Sequence, residues 1–281
     1  MKADTALVVS QPSTLFYALK RDVRTRDYFA FMDSLVKALD STLAYPVDEY
    51  ILVHANPRIL DTLMQQDYYL RSERGEFVED PNALIVLHRG DSLEIPSQAK
   101  CDSIVRFLRS LRIDVNIPEF TLRILRGDTL LHRCAVRIGK NKRAFLAMAG
   151  REIDLRTPIG EGEIIRIERD PWYINPVDNK RYKSTRRDDG RYTQLPRIPF
   201  LEPTIAGLRQ GSLLHPTTNL STLGKAISNG CVGMRESDAW KLYYYAPLGT
   251  KVVFRYDLEG VGEHGETREL RDIYELKERS R

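Results

Sequence analysis

Cysteine is scarce in this chain, three residues in 281, and tryptophan scarcer, at two. Three cysteines cannot build the disulfide framework that holds small secreted domains together. The fold must therefore rest on a hydrophobic core, and 42% apolar residues over this length suffice for one or two domains. No apolar run reaches the ~18–20 residues that span a bilayer. The amino terminus, Met1-Lys2-Ala3-Asp4-Thr5, has no apolar stretch of the secretory-signal kind. The histidines (His54, His88, His132, His215 and His264) are scattered without zinc-ligand spacing, so no metal is expected. Gly160-Glu161-Gly162 lacks the third glycine and the Lys-Ser/Thr of a phosphate cradle, and no organic cofactor is expected either. A net charge of +4, with the basic residues spread out, speaks against a nucleic-acid partner.

What is present gathers in two stretches. Leu213-Leu214-His215-Pro216 ends a short apolar run with a histidine. Sixteen residues after that histidine comes Cys231, in Ser228-Asn229-Gly230-Cys231-Val232-Gly233-Met234-Arg235. A thiolate is the attacking form of cysteine, and an imidazole with an ordinary pKa of ~6.5 is suited to take the thiol proton. Gly230 permits backbone angles closed to other residues. The amides of Gly230, Cys231 and Val232 then form a candidate oxyanion hole. Taken alone, one cysteine and one histidine leave an inert buried thiol as the commoner outcome. A papain-like protease would place cysteine before histidine, and the order here is the reverse.

Along the chain, Leu7-Val8-Val9 predicts a strand, and Tyr28, Met32, Leu35, Val36 and Leu39 fall at helical spacing over 27–39. Tyr50-Ile51-Leu52-Val53 predicts an extended segment, Leu60–Met64 a helix, and 83–87 a strand with its return at 93–96. A helix begins at Ser97 or Gln98 and carries Ile104, Phe107, Leu108 and Leu111. From Arg112 the texture is β, with Phe120, Leu122 and Ile124 alternating. A long segment rich in Pro, Arg and Tyr runs from Asp170 to Leu208, and segments of that length are commonly functional or disordered. Ser237 predicts a helix cap, followed by Trp240, Leu242, Tyr243 and Tyr244, with Pro247 and Gly249 ending the helix. A short helix over 270–277, or a frayed end, closes the chain.

His215, then Ser228-x-Gly230-Cys231-Val232, resembles the signature of the L,D-transpeptidases (YkuD-type catalytic domain): His-Gly/Ser, then Ser/Thr-x-Gly-Cys-Ile/Val-Arg/Asn. Thr157-Pro158-Ile159-Gly160 and Gly249-Thr250-Lys251-Val252 resemble two further segments of that family. The resemblance covers about 112–256. It implies a mainly β catalytic domain, a β-sandwich with a short helix after the Cys motif, over 112–258. An α/β accessory domain over 1–111 would precede it and a charged tail over 259–281 follow. Within the accessory domain 50–96 resembles a degenerate LysM glycan-binding segment, chiefly through Gly90-Asp91-Ser92-Leu93-Glu94-Ile95-Pro96.

The resemblance further implies Cys231 as nucleophile, His215 as base and Ser228 as the hydroxyl that orients the imidazole. The donor it implies is a peptidoglycan stem tetrapeptide. The acceptor it implies is a second stem amine, an outer-membrane lipoprotein lysine or a free D-amino acid; water would make the same chain a carboxypeptidase or amidase, and loss of activity a peptidoglycan-binding protein. No cofactor is implied. Work on the cell wall implies the periplasm or cell envelope, with the export signal outside these residues. Within the long 170–208 segment, a lid in that family, Trp172 and Tyr173 are placed to stack on sugar or peptide and Arg187 to pair with a carboxylate. Three departures stand out: Pro216 for Gly or Ser, Asn229 where many members have His, and Gly233 for Arg or Asn. Arg235 is the candidate to stand in for the missing side chain, with Asn229 beside it in the substrate site. Cys101 and Cys134 remain as a pair or as two separate buried thiols.

Overall fold

The structure is a computed structural model describing residues 15–261 and 266–277; the strand expected at 7–9 lies outside them. Six α-helices are present among the described residues, five of them before residue 110. They are α1 (Tyr28–Asp40), α2 (Glu49–Ala55), α3 (Arg58–Met64), α4 (Tyr68–Glu73), α5 (Gln98–Arg109) and α6 (Glu236–Tyr245). None is long and apolar enough to cross a membrane. α1 and α5 form where the apolar spacing places them, and α5 starts on the Ser97 hydroxyl. The segment expected to be extended at 50–53 is instead the body of α2. Asp48 caps it, its Oδ1 accepting from the Ile51 amide at 2.8 Å. Ile51, Leu52 and Val53 are all buried, and a helix enclosed on most sides shows no helical periodicity.

The LysM-like span does not close on itself. Its strands Ile85–Leu87 and Ser92–Ile95 pair with Val23–Arg24 and Leu15–Ala18, upstream of the span.

From residue 111 the chain is mostly β, and a single large sheet carries it. Its strands are β1 (Leu111–Asn116), β2 (Thr121–Arg126), β3 (Thr129–Ala135), β4 (Gly160–Glu168), β5 (Phe200–Ile205), β6 (Leu214–Pro216), β7 (Val232–Met234) and β8 (Lys251–Arg255). The spatial order is β7-β6-β5-β4-β8-β1-β2-β3, with Leu208–Arg209 paired to β5 as a ninth strand. The pairs β6–β7 and β8–β1 are parallel and the others antiparallel. Just beyond β3, Arg137 forms an antiparallel bridge to Gly233 in β7, with backbone N–O distances of 2.8 and 3.0 Å. The two ends of the sheet therefore meet, and the β domain is nearly closed.

One hydrophobic cluster runs without interruption from Leu52, Leu63 and Tyr28 to Trp240, Tyr243, Ile113 and Phe254. The helical region thus packs directly on the β region, chiefly through α6. Polar groups join the same seam. Glu49 accepts from the hydroxyls of Tyr243 and Tyr244 at 2.9 and 2.7 Å, and from Arg169 at 2.9 Å. The α6 amino terminus is capped from across the seam: Asp67 accepts from the Ser237 amide and hydroxyl, both at 3.0 Å, while also capping α4. Ser237 is consequently the second helical residue and not the cap. A short helix over 270–277 is not formed. Tyr274 is instead buried, its hydroxyl donating to the Gly139 carbonyl at 2.7 Å and accepting from the Thr157 amide at 3.0 Å.

Candidate active site

The parallel pair β6–β7 sets His215 opposite Gly233 and Leu214 opposite Val232. Cys231 precedes β7 by one residue and lies two before Gly233. Side chains alternate faces along a strand, while neighbours in one lateral row share a face. Cys231 and His215 therefore lie on one face of the sheet, as diagonal neighbours across two strands. Diagonal neighbours in a sheet stand ~7–8 Å apart at the backbone, a span that long and aromatic side chains bridge. The cysteine turn is held by its surroundings. Gly230 has φ +106°, a left-handed value that favours glycine. Thr157 donates through Oγ1 to the Gly230 carbonyl at 3.1 Å and accepts from the Gly139 amide at 2.9 Å. The Thr-Pro segment thus braces the turn that presents Cys231.

The histidine is oriented by a group that the sequence does not advertise. Its Nδ1 lies 2.8 Å from the Pro216 carbonyl oxygen, which can only accept, so Nδ1 carries the proton and Nε2 the lone pair. The expected Ser228 partner is absent: its hydroxyl donates to the Cys231 carbonyl at 2.6 Å and accepts from the Gly230 amide at 3.3 Å. Ser228 is a brace for the turn, because a three-residue return brings its side chain back to its own loop. Phe200 tilts against the imidazole, ring centres 5.1 Å apart, and Tyr173 meets Phe200 edge-on at 5.1 Å.

Burial and the nearby Arg137 cation push the His215 pKa down to about 4, against a partial restoring effect of the Pro216 carbonyl. Burial pushes the Cys231 thiol up, while the Leu213 amide and Arg137 pull it down. Both directions favour a neutral thiol and a neutral imidazole over an ion pair, and the thiol itself donates to the Gly211 carbonyl at 4.0 Å. The Leu213 amide points at Sγ from 3.4 Å. Of the three amides expected to form an oxyanion hole, Val232 donates to the Leu213 carbonyl at 2.8 Å and Gly230 to Ser228. That of Cys231 has no acceptor among the described residues and is the free donor.

The other expected contacts divide. Asn229 is half-buried in the turn beside Cys231. Trp172 is 60% exposed, with the Arg181 guanidinium 3.2 Å from its ring centre. Tyr173 is half-buried, its hydroxyl donating to the Pro196 carbonyl at 2.8 Å. Arg187 is not available for substrate: it is 2% exposed, paired with buried Glu236 at 2.5 Å, bonded to Thr193 at 2.7 Å and laid over Tyr68. Arg235 is likewise turned away, toward Asp67 at 3.6 Å and Glu73 at 3.9 Å. Acidic partners from α4 and α6 claim both arginines, a pairing that no local sequence pattern signals.

The long 170–208 segment is folded into two small hairpins, Tyr173–Ile174 with Arg181–Tyr182 and Ser184–Arg186 with Tyr192–Gln194. Asp188, at the tip of the second, accepts from the Ser221 amide and hydroxyl at 2.9 and 2.7 Å, tying the segment to the loop between His215 and Cys231.

Cys101 and Cys134 are separate buried free thiols. Cys134 does meet His132 and Asp238, their ligand atoms all within 4.8 Å, a proximity hidden by the 106 positions that separate the last two in sequence. His132 Nε2 and Asp238 satisfy one another at 2.8 Å.

The family profile described as YkuD, L,D-transpeptidase catalytic domain, matches residues 110–254. The YkuD protein of Bacillus licheniformis is 28% identical over 163 residues, 58% of this chain and 73% of that one. Among solved structures, an L,D-transpeptidase from Mycobacterium smegmatis is 16% identical with a TM-score of 0.37, over 52% of this chain and 58% of that one. The L,D-transpeptidase (residues 123–326) of Xylanimonas cellulosilytica is 14% identical with a TM-score of 0.38, over 73% and 92%. The family match spans more than half of the chain, from the start of β1 through the Cys231 motif to β8, and the chain belongs to the YkuD L,D-transpeptidase catalytic domain family.

Proposed function

We propose that this chain is a cell-wall L,D-transpeptidase of the bacterial envelope, working on peptidoglycan stem peptides in the periplasm. The Cys231 thiol gives its proton to His215 Nε2 as sulfur attacks the carbonyl carbon of the third residue of a tetrapeptide stem. The tetrahedral oxyanion takes the free Cys231 amide. Collapse breaks the C–N bond to the terminal D-alanine, whose nitrogen leaves with the proton from His215. The resulting thioester is attacked by an amine of a second stem, or of a lipoprotein lysine, which gives up a proton to His215 and restores the thiol. Trp172 and Asn229 line the approach of the donor peptide.

The observation that carries this reading is the tautomer of His215. With Nδ1 committed to the Pro216 carbonyl, the free lone pair stands at Nε2, on the face that Cys231 shares. The Leu213 amide, directed at Sγ, favours sulfur as its charge develops.

Incubation with purified tetrapeptide muropeptides, followed by mass spectrometry, is the test. Loss of D-alanine together with 3→3 dimers is expected. Loss of D-alanine without dimers would place water as the acceptor, and unchanged tetrapeptide would overturn the reading.

A further inference from the structure

Gly233 is the floor of this site. In one lateral row of the sheet stand His215, Gly233 and Arg137, the first two paired in parallel and the last two bridged antiparallel. Strands are ~4.8 Å apart, so the outer two members of the row are about 10 Å apart across a residue with no side chain. The Arg137 side chain folds into that gap. A Cβ added at Gly233 would lie 2.6 Å from Arg137 Nε and 2.9 Å from its Cγ, so the glycine is what lets the arginine cross. Cys231, two residues back from Gly233, shares the face.

The arginine has nothing of the protein's own to hold. Among the described residues no carboxylate lies within ion-pair distance of it, and its buried Nε has no acceptor. By contrast Arg187 and Arg235 are both claimed by acidic side chains. The nearby carboxylate that acts on Cys231, Glu202, is itself taken up by Arg209 and Arg166 at 2.6 and 2.7 Å. A guanidinium without a counter-ion beside a reactive sulfur is a ready partner for a planar, two-oxygen anion.

We propose that Arg137 is the anion seat of this site, receiving a carboxylate of the donor peptide across Gly233 while the scissile carbonyl meets Cys231. The proposal rests on the reading of Cys231 as the reacting sulfur. It also gives the departure at Gly233 a meaning: the cation absent from that position in the Cys motif is supplied by the residue bridged to it. The same charge acts on both reacting groups, favouring thiolate at Cys231 and neutral imidazole at His215.

Alkylation of Cys231 by iodoacetate and by iodoacetamide, located by peptide mass mapping, separates the possibilities without requiring turnover. The two reagents differ in carrying or lacking a carboxylate. Arg137→Met is expected to lower the iodoacetate-to-iodoacetamide rate ratio by about tenfold, Arg137→Lys by less. Gly233→Ala, which displaces the guanidinium but keeps the charge on the chain, is expected to lower it as well, and serves if Arg137→Met does not fold. A purely structural arginine would slow or speed both reagents together. An unchanged ratio in a folded variant overturns the anion seat and leaves Cys231 as nucleophile. In the unaltered protein, modification by iodoacetamide but not by iodoacetate overturns the anion seat alone, and failure of both reagents at Cys231 overturns both.

Discussion

His215 is oriented by its own neighbour: the imidazole Nδ1 donates to the Pro216 carbonyl 2.8 Å away. Proline at this position removes an amide but keeps the carbonyl, and the carbonyl is the group that fixes the tautomer. His215→Asn, whose side-chain amide can keep that bond without a base at Nε2, should leave the fold intact and cut turnover by 10²-fold or more. Steady-state rates and a melting curve on the same preparation check this.

The lowered histidine pKa also makes a stability prediction. An unfolded histidine titrates near ~6.5, whereas the folded ring holds its proton only below about 4. Between those values the unfolded chain binds the extra proton. The stability from the neutral ring is therefore full above ~6.5 and drains as pH falls toward 4. Melting temperatures of the unaltered protein should fall faster over that range than those of His215→Asn. Equal slopes would show that the ring is not held neutral.

Ser228 separates two roles. Because its hydroxyl bonds the Cys231 carbonyl and not the imidazole, Ser228→Ala should loosen the turn, with about 1–2 kcal/mol lost in denaturant melts. The acidic limb of the pH–rate profile should stay where it is. A shifted limb would mean that the hydroxyl reaches the imidazole during the reaction.

Arg187 and Glu236 form a buried pair that joins the 170–208 segment to α6. Arg187→Met would strand the buried Glu236, at a cost of roughly 3–5 kcal/mol in unfolding free energy. Arg187→Met with Glu236→Gln should recover part of that loss. The KM for the donor peptide should be unchanged in whichever variant stays folded. By contrast Trp172→Ala, at a 60% exposed ring, should leave stability within about 0.5 kcal/mol and raise that KM.

The sequence carries the parts of the site that are local. His215, Gly230, Cys231, Thr157-Pro158 and the strand at Lys251 sit in short motifs, where residue type and spacing speak directly. α1 and α5 are equally plain, each showing one apolar stripe. What does not show is whatever depends on strand register. Arg137 reaches Gly233 from 96 positions away, and only closure of the sheet brings them together. Backbone partners leave no trace either: the Pro216 carbonyl and the Leu213 amide have no side chain to signal them. Arg187 and Arg235 look like free cations in a motif-rich region, and only tertiary pairing with Glu236 and Asp67 removes them from the site. α2 was hidden by burial on most of its surface.

The central claim is that the sulfur of Cys231, and no other, reacts as an acyl acceptor. A carbapenem carries a strained β-lactam carbonyl that acylates a reactive thiol, so the intact mass after incubation with one reads the claim directly. A single adduct is expected, mapping to Cys231, lost in Cys231→Ala and retained in Cys101→Ala and Cys134→Ala, whose thiols are buried and pushed up in pKa by that burial. An unmodified mass, or an adduct that survives Cys231→Ala, would contradict it.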